Sequence, residues 1–346
     1  MKKSFLAFVR KETLHLLRDP RTLLIALFVP VIQMLLFGFA ISTEINNINV
    51  MICDPCDHKD TSELAARLDA NPVYTFAGYV GPSDIDAALV DGKAEAIVVF
   101  DSGHRAQILI DGSNPVTAQS TAQYLTATMS ETTPDASVRI LYNPQLRSAY
   151  NFVPGIMGLI FIIICAMLTS VSIVRERETG TLEVLLVSPI RPGMIYIGKL
   201  IPYFILACID LAAILFIARH ALQVPLTGSI PAMIILSLTY IILSLGFGLL
   251  ISTLVDSQMV ALLISGMVLM VPVIMLSGML FPIENMPQPL QWLSAIVPAR
   301  WYIAAMRKLM IQGLCWDAVA SEATIISVMT ILILTLAIKR FKIRLQ

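Results

Sequence analysis

The sequence predicts an α-helical membrane protein with six transmembrane helices, an amphipathic N-terminal helix and an inserted small α/β extracytoplasmic domain. Three observations carry that prediction. The 346-residue chain is 57% hydrophobic and 14% charged, with mean hydropathy +0.78, where a soluble domain averages about 25% charged residues. Six apolar runs approach the roughly 20 residues needed to cross a bilayer core: 22–41, 152–174, 195–217, 230–253, 259–281 and 319–338. Residues 42–151 interrupt them with short Val- and Ile-rich stretches that alternate with helical ones. Net charge is zero, so the total says nothing about nucleic acid; no nucleic-acid partner is expected.

Residues 1–21 read as a cytoplasmic connecting helix. At helical spacing Phe5, Phe8, Val9 and Leu16 share one side, with Lys3, Arg10, Lys11 and Arg18 roughly opposite. That pattern suits a helix lying on an anionic leaflet, so membrane lipid is an expected partner. Glu12 falls inside the apolar arc. It either reaches water or pairs with a basic residue of a neighbouring subunit. Asp19 can cap the first span and Pro20 suits its first turn. The first apolar run, 22–41, exceeds the roughly 7–15 residues of a signal-peptide core and reads as a retained anchor.

Residues 42–151 form the extracytoplasmic domain. Strands are expected at 47–53, 94–100, 106–110 and 138–142, and helices at 62–69, 83–90 and 117–130. Asp111-Gly112-Ser113-Asn114-Pro115 is a turn by its chemistry. Cys53 and Cys56 form a lone C-x-x-C, read as a local disulfide or two free thiols.

Residues 152–346 hold five spans. Between two of them lies the most informative stretch, 175–189. Arg175, Glu176, Arg177 and Glu178 precede a short apolar helix, which Thr179 or Thr181 can cap. Leu182, Leu185 and Leu186 recur on one face, and Pro189 stops it. A half-apolar helix of this length, exposed beside a membrane, needs a partner to cover it. Residues 282–312 are punctuated by Pro282, Pro287, Pro289 and Pro298, and read as two re-entrant helices. Trp292, Trp301, Tyr302 and Trp316 suit the membrane interface. Fourteen of the 24 Lys and Arg lie in the N-terminal arm, the 175–199 segment and the tail. The positive-inside rule therefore puts both termini in the cytoplasm.

Asp210 sits well inside the third span. An intramembrane acid is a functional candidate by default, here for the translocation path, and the plainer alternative is a structural partner on a neighbouring span. No P-loop and no H-E-x-x-H is present, and His15, His58, His104 and His220 are scattered. The sequence therefore points to no catalytic, cofactor or metal site in this chain.

Three motifs together resemble the type-2 ATP-binding-cassette export permeases, in the multidrug-efflux-like subgroup with a large external domain between spans one and two. They are 175–183 with Ser188-Pro189, which looks like the family's coupling helix; 276–282 with Met286-Pro287; and 298–302 in the re-entrant region. Lys11-Glu12 and Arg18-Asp19-Pro20 are similar to the family's connecting helix and first-span start. The resemblance implies a permease subunit in the cell (inner) membrane, exporting a drug-like or amphipathic substrate. It implies cytoplasmic ATPase subunits that hold ATP and Mg, a second permease copy or sister permease, and a periplasmic adaptor as a further partner. Coupling would run through Arg175, Glu176, Arg177, Glu178, Thr181, Leu182, Leu185 and Leu186, and the connecting helix would use Lys11, Glu12 and Arg18.

Two other classes compete. A ligand-sensing receptor subunit would need a separate cytoplasmic partner, because its own cytoplasmic segments are short. A membrane enzyme is disfavoured by the lack of paired His or acids within the spans.

Overall fold

The computed structural model describes residues 2–40, 48–55, 59–100, 106–111, 115–130, 147–180, 192–283 and 286–344. They fall into two compact units, residues 42–148 and the remainder.

The smaller unit is a four-stranded sheet in the order β2-β1-β3-β4. Its strands are β1 (Ile48–Cys53), β2 (Tyr74–Tyr79), β3 (Ala96–Phe100) and β4 (Ala106–Ile110). β1 runs parallel to β2 and β3, and β4 closes antiparallel on β3 with Val98 opposite Ile108. Alternation decides the faces, since successive side chains point opposite ways. Ile48, Val50, Ile52 and Val98 meet Leu64 and Leu68 of α3 (Lys59–Ala70) and Leu125 of α5 (Pro115–Ser130). Cys53 and Ile97 meet Ala88 of α4 (Ile85–Val90) on the other face. β2 was not foreseen, although Tyr74, Thr75, Phe76 and Tyr79 are residues that favour strands. Its hairpin-free, parallel pairing is supplied by α3, the crossover a parallel neighbour requires. The expected strand at 138–142, the turn at 112–114 and Cys56 lie outside the described residues. Cys53 is a buried free thiol.

The larger unit is helical. Its elements are α1 (Lys2–Leu17), α2 (Pro20–Ala40), α6 (Ser148–Glu178), α7 (Pro192–His220), α8 (Ile230–Leu254) and α9 (Gln258–Leu263). A π-helical turn, Ile264–Val268, leads into α10 (Leu269–Leu276). α11 (Gln288–Ile296), α12 (Pro298–Met310) and α13 (Ala320–Arg344) follow. Among the described residues five helical segments are long and apolar enough to cross a membrane: Ala149–Glu178, Met194–His220, Ile230–Leu254, Gln258–Leu276 and Trp316–Arg340. A sixth is reached when Phe5–Leu17 and Thr22–Gly38, bent by 69°, count together. Asp19 caps α2 as its chemistry suggests: Thr22 donates its backbone N–H to Oδ1 at 3.2 Å and its hydroxyl to Oδ2 at 2.8 Å.

The fifth span is shorter than its apolar run. It ends at Leu276, because Gly278 turns the chain at φ +77°. Ser265, inside the π turn, meets Ser170 of α6 at 2.8 Å, so the wider turn coincides with a buried polar pin.

Apolar side chains of α6, α7, α8 and α12 form the main core. Tyr302 departs from the expectation of an interfacial aromatic. It is fully buried, stacked on Tyr240 at 4.2 Å, with its hydroxyl 2.9 Å from that of Ser237. The Tyr240 hydroxyl donates to the Gly158 carbonyl at 2.9 Å. Each ring therefore satisfies its polar tip in the core, which is what allows burial. Trp292 keeps the exposed position expected of it. Arginines close the 277–312 region: Arg300 donates to the Gln291 carbonyl and Arg307 to that of Gly278, at 2.9 and 2.8 Å.

Candidate functional site

The end of α6 carries the densest set of charges in the helical unit. Arg175, Glu176, Arg177 and Glu178 were read as a loop-side prelude to the next helix. They form the last turn of α6 itself, and Gly180 ends it at φ +71°. The Thr179 hydroxyl donates back to the Arg175 carbonyl at 2.9 Å; the segment it was expected to cap lies outside the described residues.

A helix advances 100° per residue, so four consecutive side chains point in four directions. Arg175 reaches Asp19, at the α1–α2 bend, at 3.5 Å. Glu176 reaches Lys199 of α7 at 2.6 Å and Lys11 of α1 at 3.7 Å. Arg177 donates to the Val255 carbonyl at 3.0 Å and lies 3.4 Å from Asp256, in the α8–α9 link. Glu178 accepts the backbone N–H of Gln258 at 2.8 Å and also meets its side-chain amide. Gln258 opens α9, where the helix dipole favours an acid. One turn thus grips α1, the α1–α2 bend, α7, the α8–α9 link and α9.

At its centre Lys199 is only 1% exposed, between Glu176 and Glu12, the latter 3.5 Å away. Glu12 is in turn 2.7 Å from Lys11. Two cations and two anions balance, which is the condition for holding charge out of water. Glu12 therefore neither reaches water nor requires a neighbouring subunit: its partners are in its own chain. Phe8, Glu12 and Leu16, one helical turn apart, are the buried stripe of α1. Phe8 seats against Gly198, where a Cβ would lie 2.6 Å from the ring. Leu6, Leu14 and Leu17 are exposed instead. At the bend, the two Thr22 hydrogen bonds, and behind them the charge of Arg175, hold the Asp19 carboxyl below the usual carboxylate range.

Lys199, Asp256 and Gln258 escaped the sequence reading. Lys199 had a usable signal: it is a lone cation inside the apolar run 195–217, the kind of residue that demands a partner. It was counted only as a loop charge. Thr181, Leu182, Leu185 and Leu186 lie outside the described residues. Arg18 is exposed beside the bend.

Asp210 stands apart. Eleven residues along α7 from Lys199, it is about 16 Å away at the helical rise. It is 3% exposed, beside Cys165 of α6, and its Oδ1 has no hydrogen-bond partner among the described residues. Among the described residues no group of His, Cys, Asp and Glu could hold a metal ion.

Residues 20–339 match the family described as ABC-2 family transporter protein. The chain belongs to the ABC-2 transporter family. Similar proteins bear this out. "Probable multidrug ABC transporter permease YbhR" of Escherichia coli (strain K12) is 34% identical over 334 residues, 90% of this chain and 90% of that protein. "Probable multidrug ABC transporter permease YbhS" of the same strain is 30% identical over 339 residues, 88% and 87% of the two chains. "Inner membrane transport permease YhhJ" is 26% identical over 291 residues, 81% and 76% of the two. This ABC-2 protein is accordingly the transmembrane permease of an ABC exporter, a transport subunit rather than an enzyme. Permeases of the ABC-2 family work with an ABC ATPase subunit. Membership decides for export over the receptor reading.

Proposed function

We propose that the chain forms the membrane pathway for a drug-like or amphipathic substrate, and that the last turn of α6 with residues 181–189 couples it to the ATPase. The substrate class follows the names of the relatives YbhR and YbhS. ATP and Mg bind in the cytoplasmic ATPase. A second copy or a sister permease completes the pathway, and a periplasmic adaptor meets the external domain. The protein sits in the inner membrane with both termini cytoplasmic, in line with the distribution of Lys and Arg.

The observation that carries this reading is the grip of Arg175–Glu178 on five neighbouring elements, immediately before the apolar segment 181–187. A force applied to that segment enters a turn fastened to α1, α7 and α9, so it moves them together rather than bending a loop. Burying one leucine in the ATPase stabilises the contact by roughly 1.5–3 kcal/mol, against about 0–1 kcal/mol for an exposed ion pair. The leucines therefore hold the complex, and the charges align it.

The test is Leu185→Asp with Leu186→Asp, read by pull-down of the ATPase and by substrate-stimulated ATP hydrolysis. Both activities should be lost while membrane insertion is normal. Wild-type binding and export by the double variant would sink the proposal.

A further inference from the structure

The bend between α1 and α2 opens a cleft that the coupling argument leaves unused. Its inner part, about 190 Å³, is lined by Leu16, Ile25, Met167, Val171 and Leu262 on its apolar side and by Glu12, Glu176 and Ser172 on its polar side. It adjoins a wider hollow of about 820 Å³ lined by Lys11, His15, Arg18, Asp19 and Arg175. His15, Asp19, Thr22 and Arg175 border both.

Charge decides what fits. Lys11 and Lys199 offset Glu12 and Glu176, and Arg175 offsets Asp19. Arg18 is left over at the exposed rim, with no ion pair among the described residues. With Lys199 counted behind the wall, the cleft and its surroundings carry one net positive charge, placed at Arg18 on the rim. It lies where α2 begins, and α2 exposes Leu24, Ile25 and Phe28 beside it. Basic pockets between helices at the cytoplasmic face of a membrane are sites for anionic lipid headgroups.

We propose that this cleft binds one phosphatidylglycerol-type phospholipid, with its phosphate between Arg18 and Arg175 and the start of one acyl chain against Ile25 and Leu262. The single headgroup charge matches the single uncompensated cation. A free anion would leave the apolar side in contact with water, and a neutral amphiphile would leave Arg18 unanswered. A lipid seated here bridges α1, α2 and α6 next to the Glu176 cluster. The proposal rests on this end of the helices lying at headgroup level. It does not require ATP-driven export, so it is tested without the ATPase.

The full-length permease is reconstituted in phosphatidylcholine nanodiscs containing phosphatidylglycerol, released into mild detergent, and weighed by native mass spectrometry. One phosphatidylglycerol should stay with each chain in preference to phosphatidylcholine. Arg18→Glu should weaken its retention about tenfold or more, and Arg18→Lys should preserve it. Ile25→Trp, at a position 47% exposed, should displace the lipid by filling the cleft from its open side. Excess inorganic phosphate should leave the lipid bound. Equal retention of the two lipids, equal retention in wild type, Arg18→Glu and Ile25→Trp, or displacement by inorganic phosphate would each overturn the proposal.

Discussion

Replacing Lys199 with Met removes the cation buried between Glu12 and Glu176 while keeping a similar apolar stem. Breaking a buried ion pair by deleting one partner costs roughly 3–5 kcal/mol, because the other charge is left uncompensated. Here Lys11 remains, 2.7 Å from Glu12 and 3.7 Å from Glu176, but its side chain is 52% exposed. Partial compensation places the loss near the lower end, about 3 kcal/mol. Lys11→Met breaks contacts that reach solvent and should cost only about 0–1 kcal/mol. In detergent the thermal midpoint of Lys199→Met should fall by on the order of 5–10 °C, and that of Lys11→Met by a degree or two. Adding Glu176→Gln to Lys199→Met should recover most of the loss, since a neutral pair in place of a buried ionic one is often close to neutral in stability. ATP hydrolysis by the assembled complex should lose its response to substrate in Lys199→Met and regain part of it in the double variant. Equal midpoints for the two lysine variants, or no rescue by Glu176→Gln, would refute the claim that this cluster fastens α6 to α1 and α7.

Gly198→Val places a Cβ 2.6 Å from the Phe8 ring; it should lift α1, cost about 1–3 kcal/mol, and expose the N-terminal helix to limited proteolysis, with Phe8→Ala relieving the effect. Burial, with the Asp54 charge behind it, pushes the Cys53 thiol up, so maleimide at neutral pH should label it only after the domain unfolds; replacing both Cys53 and Cys56 with Ala should leave export near wild type, as judged by substrate efflux. Asp210→Asn removes a buried acid whose Oδ1 has no hydrogen-bond partner among the described residues; thermal stability should hold or rise while efflux falls, and unchanged efflux would assign Asp210 no part in transport.

Composition and run length alone determined the class of this protein. No soluble chain of ordinary charge content has six apolar runs of membrane-crossing length, and each helix in lipid must satisfy its backbone within itself. The helix-start signals were equally local: Asp19 and Pro20 at the start of α2 act through their own backbone and nearest neighbours. The sequence also singled out 175–178, four charges beside an apolar span. Which partners was not legible. Lys199 lies beyond an intervening segment, Glu12 is 164 positions upstream of Glu176, and Gln258 is 80 downstream of Glu178. Their meeting depends on how α1, α7 and α9 pack around α6. The same holds for Tyr302, whose sequence context suits an interface and whose burial depends on Tyr240 and Ser237 from another helix. Periodicity reports which side of a helix is apolar; only the tertiary packing, set by close approaches such as Phe8 on Gly198, decides what that side meets.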